Sequence, residues 1–178
     1  MTGVQTCALP ISYKAMEEAY KAGKLRAIGV SNFSPDRFID LQHFVEIKPA
    51  VNQIETHIFQ QQKVAKTYLD KYNCQIESWG PFAEGRNDFF NTPTLKEIGE
   101  KYEKSVAQVA LRFLLQSDVV VIPKSVRKER MQENFNVFDF ELTAEEMAAI
   151  QDLDQEKSLF FDHQDPETAE FFMTLVKK

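Results

Sequence analysis

The segment from Val119 to Asn134, VVVIPKSVRKERMQEN, constrains the fold of this chain more than any other. It opens with Val119–Ile122, four β-branched residues, a composition typical of a strand buried on both faces of a parallel sheet. Pro123 ends the strand because proline has no backbone N–H to pair. The good helix formers from Arg130 to Phe135 then predict a helix directly after a polar turn.

Cations are concentrated between this strand and its helix. Lys124, Arg127, Lys128 and Arg130 accompany a single anion, Glu129. Helix N-termini bind phosphate through free N–H groups and the helix dipole, and nearby cations strengthen binding of a dianion. A solvated basic helix face is the alternative, because charge clusters are often only solvated. The position at the C-terminal end of a strand, where ligands bind in α/β folds, favours a phosphate site.

The rest of the chain alternates between strand and helix patterns. Strands are predicted at 25–30, 50–55, 75–79 and 119–122. Helices are predicted at 13–22, 35–45, 62–72, 94–103, 106–116, 130–135 and 143–153. Capping boxes mark two of the helix starts, at Ser105 with Gln108 and at Thr143 with Glu146. The links suit right-handed parallel crossovers, so four βα units fit either half of a (β/α)8 barrel or a small flavodoxin-like sheet.

Composition narrows the possible functions. The chain has 178 residues, 43% of them hydrophobic, and a net charge of −6, which argues against a nucleic-acid or membrane-surface role for its whole surface. No apolar run reaches membrane-spanning length and segment 7–11 does not suit a signal peptide, so the cytoplasm is the default location. Two cysteines, Cys7 and a buried or half-buried Cys74, predict neither a disulfide scaffold nor a metal site.

Hydrogen-bonding or flat side chains stand at the end of every predicted strand. They are Ser31 and Asn32 after the first strand, Gln53, Glu55 and Thr56 at the second, Trp79 at the end of the third, and Lys124 and Ser125 after the fourth. The hydroxyl and the amides match the donors and acceptors of a carboxamide, and the indole offers a flat face to a ring. Taken singly, each also fits a structural role as a turn, an interior hydrogen bonder or a core aromatic. Together with the phosphate site they predict binding of a nicotinamide dinucleotide.

Three segments carry a resemblance to a known family. They are GKLRAIGVSNF (Gly23–Phe33), PAVNQIE (Pro49–Glu55) and IPKSVRKERMQENFNVFDFELT (Ile122–Thr143). From Tyr13 onward the chain resembles the C-terminal half of an aldo-keto reductase. Within that family the sequence most resembles bacterial diketogluconate and methylglyoxal reductases, including the segment WGPFAEGR (Trp79–Arg86) after the third strand.

This resemblance implies a (β/α)8 barrel that reduces aldehydes and ketones with NADPH and has no Rossmann domain. It implies that Ser31, Asn32 and Gln53 bind the nicotinamide carboxamide. It also implies that Trp79, at a position often occupied by tyrosine, stacks on the nicotinamide ring. The resemblance further implies that Gly80 and Pro81, in the Gly80–Gly85 loop, lie over the pyrophosphate. It implies that Lys124, Ser125 and Arg130 bind the 2′-phosphate, with Val126 in the same cofactor-binding segment, and that Glu133 and Asn134 contact adenine. Phe160, Phe161 and His163 are implied to line the substrate mouth.

The family's catalytic Asp, Tyr, Lys and His lie in its first four βα units. All five tyrosines of this chain fall in helical patterns and none at a strand end; they are Tyr13, Tyr20, Tyr68, Tyr72 and Tyr102. We interpret His43 and His57 as surface residues without a role. Residues 1–12 show no helix or strand period, and we interpret them as a leader or join before the domain 13–178. The sequence therefore predicts no catalytic residue and no metal ligand in this chain.

Two functions remain open at this stage. The first is an NADPH-dependent carbonyl reductase of which this chain is the cofactor-binding half, acting on a small carbonyl compound as a monomer when intact. The second is a catalytically inactive half-barrel that serves as a nucleotide-binding or assembly module. A half-barrel has two open sheet edges and an expected apolar inner face, so we also expect the isolated chain to self-associate.

Overall fold

The computed structural model describes residues 5–162 and 165–176. In these residues the strands are β1 (Gly29–Ser31), β2 (Val51–Glu55), β3 (Gln75–Trp79) and β4 (Val119–Val121). The α-helices are α1 (Gln5–Lys21), α2 (Pro35–Phe44), α3 (Lys63–Lys71), α4 (Pro93–Tyr102), α5 (Val106–Gln116), α6 (Lys128–Phe135), α7 (Ala144–Gln151) and α8 (Pro166–Val176). Among the described residues no helix is long and apolar enough to cross a membrane.

All strand pairs are parallel and the spatial order is β1-β2-β3-β4, which confirms the predicted sheet. A flavodoxin-like sheet reverses its strand order at a switch point, whereas the strands of a (β/α)8 barrel follow one another in sequence. The order observed in the described residues contains no reversal. The fold is therefore four consecutive units of the barrel type.

Strand β1 is shorter than predicted. Its pairing with β2 begins only at Gly29 opposite Val51, and the preceding link is a single bond from Ala50 N to Ile28 O, 2.8 Å. The two strands approach closely here: a Cβ atom at Gly29 would lie 2.7 Å from the Val51 carbonyl oxygen. Glycine is required at this position because any other residue would push the strands apart.

One face of the sheet is covered by helices and holds the main core. Pairing places Asn52, Ile76 and Val119 in one row on this face, all of them buried. The buried amide of Asn52 is satisfied because its Nδ2 donates to Phe33 O (2.8 Å) and its Oδ1 accepts from Phe33 N (3.4 Å). These bonds fix the turn between β1 and α2, which carries part of the candidate site.

The opposite face of the sheet differs from the prediction. The row on this face is Ser31, Gln53, Glu77 and Val120, so the expected apolar inner face is wrong. The expected burial of β4 on both faces is also wrong, because Val120 is 41% exposed. Helices cover only one side of β4 in the described part of the chain. A run of apolar residues in a sequence does not show how many faces of the strand are covered, so the prediction failed here.

Helix α1 begins at Gln5, eight residues before the predicted start. The sequence did not reveal this start because segment 5–12 lacks the apolar period by which a helix is recognised. Buried Tyr13 belongs to a small cluster with Ile28 and Leu41. Glu17 accepts bonds from the backbone N–H groups of Glu46 and Ile47, both 2.7 Å, and fixes the helix against the α2–β2 loop.

Both predicted capping boxes are confirmed, because they depend only on neighbouring residues. Glu146 in the second box also accepts a bond from the Tyr102 hydroxyl (2.7 Å), which joins α7 to α4. Helix α8 was not among the predicted helices. Cys74 is a buried free thiol, as expected, and burial raises its pKa to about 12.

Phe113 provides a test of the core. Its side chain on α5 is 2% exposed, so Phe113→Ala should lower the free energy of unfolding by about 3–5 kcal/mol through lost burial and a cavity. Phe44→Ala is the matched control, because Phe44 is 66% exposed, and we expect a change within about 0.5 kcal/mol. Urea unfolding followed by circular dichroism measures both values. Similar losses in the two variants would contradict this assignment of the core.

Candidate functional site

Four of the predicted site residues meet at the C-terminal ends of β1, β2 and β3. We call Ser31, Asn32, Gln53 and Trp79 the amide–indole group. Trp79 Nε1 donates to Asn32 Oδ1 at 2.7 Å. The Gln53 carbonyl oxygen accepts from Ser31 Oγ (3.0 Å) and from Asn32 N (2.9 Å). The predicted proximity of these residues is therefore present in the structure.

Two side-chain amide atoms of the amide–indole group have no hydrogen-bond partner among the described residues. Gln53 Nε2 donates to Glu77 Oε1, which leaves Gln53 Oε1 without a partner among the described residues. Asn32 Nδ2 likewise has no hydrogen-bond partner in the described part of the chain, while its Oδ1 is held by Trp79. A carboxamide offers one acceptor and two donors, which are the partners that an unpaired amide N–H₂ and an unpaired amide oxygen require.

The rings of the C-terminal segment pack on Trp79. The Phe160 ring lies edge-on with its centroid 5.0 Å away, and the Phe161 ring is nearly parallel to the indole at 6.3 Å. Arg86, in the loop after β3, donates from Nη1 to Leu159 O at 2.7 Å, and its guanidinium lies 4.2 Å from the Phe160 centroid. Arg86 therefore attaches the C-terminal segment, whose rings pack on the indole, to the loop after β3.

His57 is not a surface residue, and that prediction is wrong, whereas His43 is exposed as expected. Reciprocal backbone bonds of 3.0 Å between His57 and Gln60 form a tight turn after β2, and the His57 side chain is 0% exposed. Its Nδ1 accepts from Phe59 N (3.2 Å), so Nε2 carries the proton toward Glu55 Oε1 at 2.9 Å. The polar composition of the segment after β2 did not predict this turn, and the turn places the His57 side chain in the protein interior.

Glu55, to which the sequence assigned no role, is a buried carboxylate at the end of β2. It accepts bonds from Ser158 Oγ (2.5 Å) and Leu159 N (3.0 Å) in addition to His57. Burial tends to raise the pKa of Glu55, but the hydrogen bonds from His57, Ser158 and Leu159 outweigh it and hold the pKa below its ordinary value. Ser158 lies 103 residues further along the chain, so no local pattern could reveal this contact.

A cavity of about 580 Å³ lies beside these residues. Asn32, Trp79, Ser158 and Phe161 are among its lining residues. The cavity therefore adjoins both the amide–indole group and the C-terminal segment. A molecule bound there would contact the indole and the segment that packs on it.

The predicted phosphate site follows β4, the strand beside β3. Helix α6 begins at Lys128, two residues before the predicted start, with Arg127 at its N-cap. Within the described residues none of the cations Lys124, Arg127, Lys128 and Arg130 forms an ion pair, and all four are exposed. Ser125 Oγ accepts from Arg127 N (3.2 Å) and shapes the turn before the helix. These four cations, in the turn and the first residues of α6, form a concentrated positive surface.

The other predicted site residues occupy different environments. Gly80 has φ +66° and lies against the Phe160 ring, Pro81 is buried, Val126 is 87% exposed, and Glu133 and Asn134 are half-buried on α6. His163 lies outside the described residues. The described residues contain no cluster of three or more potential metal ligands. The five tyrosines lie on α1, α3 and α4 or at the end of α3, away from the strand ends.

Parallel strands in sequential order, with polar and aromatic side chains at their carboxyl ends, are typical of the (β/α)8-barrel class. Residues 9–155 match the model of the aldo/keto reductase family, and the chain belongs to this family. The resemblance seen in the sequence is thereby confirmed at the level of the family.

Individual relatives support this assignment. The chain is 44% identical over 146 residues to glyoxal reductase of Bacillus subtilis strain 168, covering 82% of this chain and 52% of that protein. It is 38% identical over 148 residues to methylglyoxal reductase DkgA of Escherichia coli K12, and the match covers 83% of this chain and 54% of that protein. The crystal structure of a Gox0644 variant in complex with NADPH superposes with a TM-score of 0.79 at 37% identity, covering 84% of this chain and 55% of that one. The chain spans about half the length of these relatives.

Proposed function

We propose that this chain is the cofactor-binding half of an NADPH-dependent reductase of aldehydes and ketones. The observation that carries the proposal is the amide–indole group, with its unpaired donor on Asn32 and unpaired acceptor on Gln53. The NADPH complex of the related structure and the carbonyl reductase names of the relatives support it.

The amide–indole group would hold the nicotinamide end. Asn32 Nδ2 would donate to the carboxamide oxygen and Gln53 Oε1 would accept from its N–H₂, with Ser31 beside them. Trp79 would present its ring to the nicotinamide, oriented by its hydrogen bond to Asn32. Bound NADPH would supply the hydride for carbonyl reduction. The chain's own contribution is to orient that ring at one rim of the sheet.

The positive surface after β4 would hold the 2′-phosphate. Lys124, Ser125 and Arg130 are the proposed contacts, with Val126 in the same segment. Gly80 and Pro81 belong to the loop that would cover the pyrophosphate. Glu133 and Asn134 would contact adenine, and Phe160, Phe161 and His163 would line the substrate mouth.

The proposal includes a division of labour between two halves of a barrel. Residues 13–178 would form the C-terminal half. The proton donor would come from an N-terminal half, because no tyrosine of this chain lies at a strand end. The intact enzyme would be a cytoplasmic monomer acting on a small carbonyl compound, and this chain alone would be inactive.

A second candidate function is an inactive half-barrel that binds nucleotide or assembles with another chain. It is favoured by an apolar groove of about 490 Å³ along the β4 edge, lined by Val120, Met131, Phe135 and Phe138 among others. Exposed apolar side chains beside an open strand edge promote association. Sedimentation of the purified chain would test whether it associates with itself.

Binding of NADPH by the chain tests the main proposal. Trp79 is the one tryptophan of the sequence, so its emission reports on the site directly, and we expect saturable quenching by NADPH. Asn32→Ala should weaken binding about 2- to 10-fold, the value of one hydrogen bond. Asn91→Ala is the control, because Asn91 is exposed and, within the described residues, its side chain bonds to Asp88 and to Lys96 on α4. Unchanged affinity in Asn32→Ala, or no quenching at all, would refute the proposed nicotinamide site.

A further inference from the structure

One hydroxyl organises the turn that carries Phe160 and Phe161. Ser158 Oγ accepts from the backbone N–H groups of both phenylalanines, each at 3.1 Å. The same oxygen donates its own proton to Glu55 Oε2 at 2.5 Å. The Ser158 hydroxyl therefore connects a buried carboxylate at the end of β2 to the backbone of the two residues whose rings pack on Trp79.

The carboxylate that receives this bond is itself held rigidly. Glu55 is 6% exposed and is paired with Trp79 in the register of β2 and β3, so the two side chains leave the same face of the sheet. His57 and Leu159 N donate to its other oxygen, Oε1, at 2.9 and 3.0 Å. Both oxygens of Glu55 are thus engaged, and among the described residues Oε2 accepts only from the C-terminal segment.

Contacts on both sides of the turn limit where it can lie. Upstream, Gln155 N donates to Phe59 O at 2.9 Å, which attaches the segment to the loop after β2. From the loop after β3, Arg86 bonds to Leu159 O at 2.7 Å and covers the Phe160 ring. The Glu55–Ser158 bond lies between these two attachments and orients the turn itself.

We propose that Glu55 and Ser158 are positioning residues that hold Phe160 and Phe161 against Trp79 and so control the access of small molecules to the indole. The cavity beside them is lined by Trp79, Ser158 and Phe161 together, so a shift of the turn changes its shape. One consequence rests on the proposed function: if Trp79 faces the nicotinamide, the same turn selects which carbonyl compounds reach the cofactor. The positioning role itself requires no cofactor.

The experiment measures Trp79 in the full chain without any ligand. Ser158→Ala removes the hydroxyl, and we expect the emission of Trp79 to shift to longer wavelength and its quenching by acrylamide to increase. Ser158→Thr retains a hydroxyl and should restore both values toward those of the wild type. Ser117→Ala is the matched control, because Ser117 is also half-buried but donates its hydroxyl to Phe113 O at 2.8 Å in α5.

The outcomes separate positioning from general stability. Far-UV circular dichroism should be the same in all variants. Unchanged emission and quenching in Ser158→Ala, or failure of Ser158→Thr to restore them, would overturn the proposal. If Ser158→Ala does not fold, Glu55→Gln gives the same readout, because it keeps the side-chain volume and removes the charge that binds the turn. Since no NADPH is present, a failure here is distinct from a failure of the proposed cofactor site.

Discussion

Carbonyl reduction is expected only when this chain is combined with the N-terminal half of a related enzyme. The chain alone should show no oxidation of NADPH by a small aldehyde. A positioned general acid contributes about 10²–10⁴-fold to such reactions, and no tyrosine lies at a strand end in this chain. Orientation of the carbonyl by the N-terminal half would raise the rate of the mixture further.

The measurement is NADPH absorbance with the chain, with the first half of Bacillus subtilis glyoxal reductase, and with both. Turnover only in the mixture would support the division of labour between two halves. Asn32→Ala in the mixture should reduce that turnover, whereas the exposed Asn91→Ala should not. Turnover at ordinary enzymatic rates by the isolated chain would contradict the proposal, because it would require a proton donor within these 178 residues.

The second large effect is expected on cofactor selectivity. Arg130→Ala should weaken NADPH binding much more than NADH binding, because only NADPH carries the 2′-phosphate. A bond to a charged group contributes about 1.5–3 kcal/mol, which corresponds to about 10- to 150-fold in affinity. The arginine is exposed and has no ion pair within the described residues, so the substitution removes no internal contact of that kind.

Titration of the chain with each cofactor, followed by Trp79 emission, gives both affinities. Arg37→Ala is the control, because Arg37 is an exposed arginine on α2, an element separate from the positive surface. Its substitution should leave both affinities unchanged. Equal weakening of NADPH and NADH by Arg130→Ala would show that the arginine does not recognise the 2′-phosphate. Raising the salt concentration should also weaken NADPH binding more than NADH binding, because exposed charges are screened.

Much of the fold could be predicted because its signals are local. The four observed strands overlap the predicted ranges, and the capping boxes at Ser105 and Thr143 were found from residues only three positions apart. The proximity of Ser31, Asn32, Gln53 and Trp79 was also predictable. Parallel strands in one sheet bring their carboxyl ends to the same edge, so residues at those ends must be neighbours.

The sequence by itself determined the strand–helix alternation, the parallel sheet and the set of residues at its carboxyl edge, because these depend on short-range patterns. Only the tertiary structure decided which side chains are enclosed. His57 is buried because a tight turn follows β2, and Val120 is exposed because helices leave that face of the sheet open. The bond from Ser158 to Glu55 joins residues that are 103 positions apart. Such features arise from packing between distant segments, which periodicity and composition do not encode.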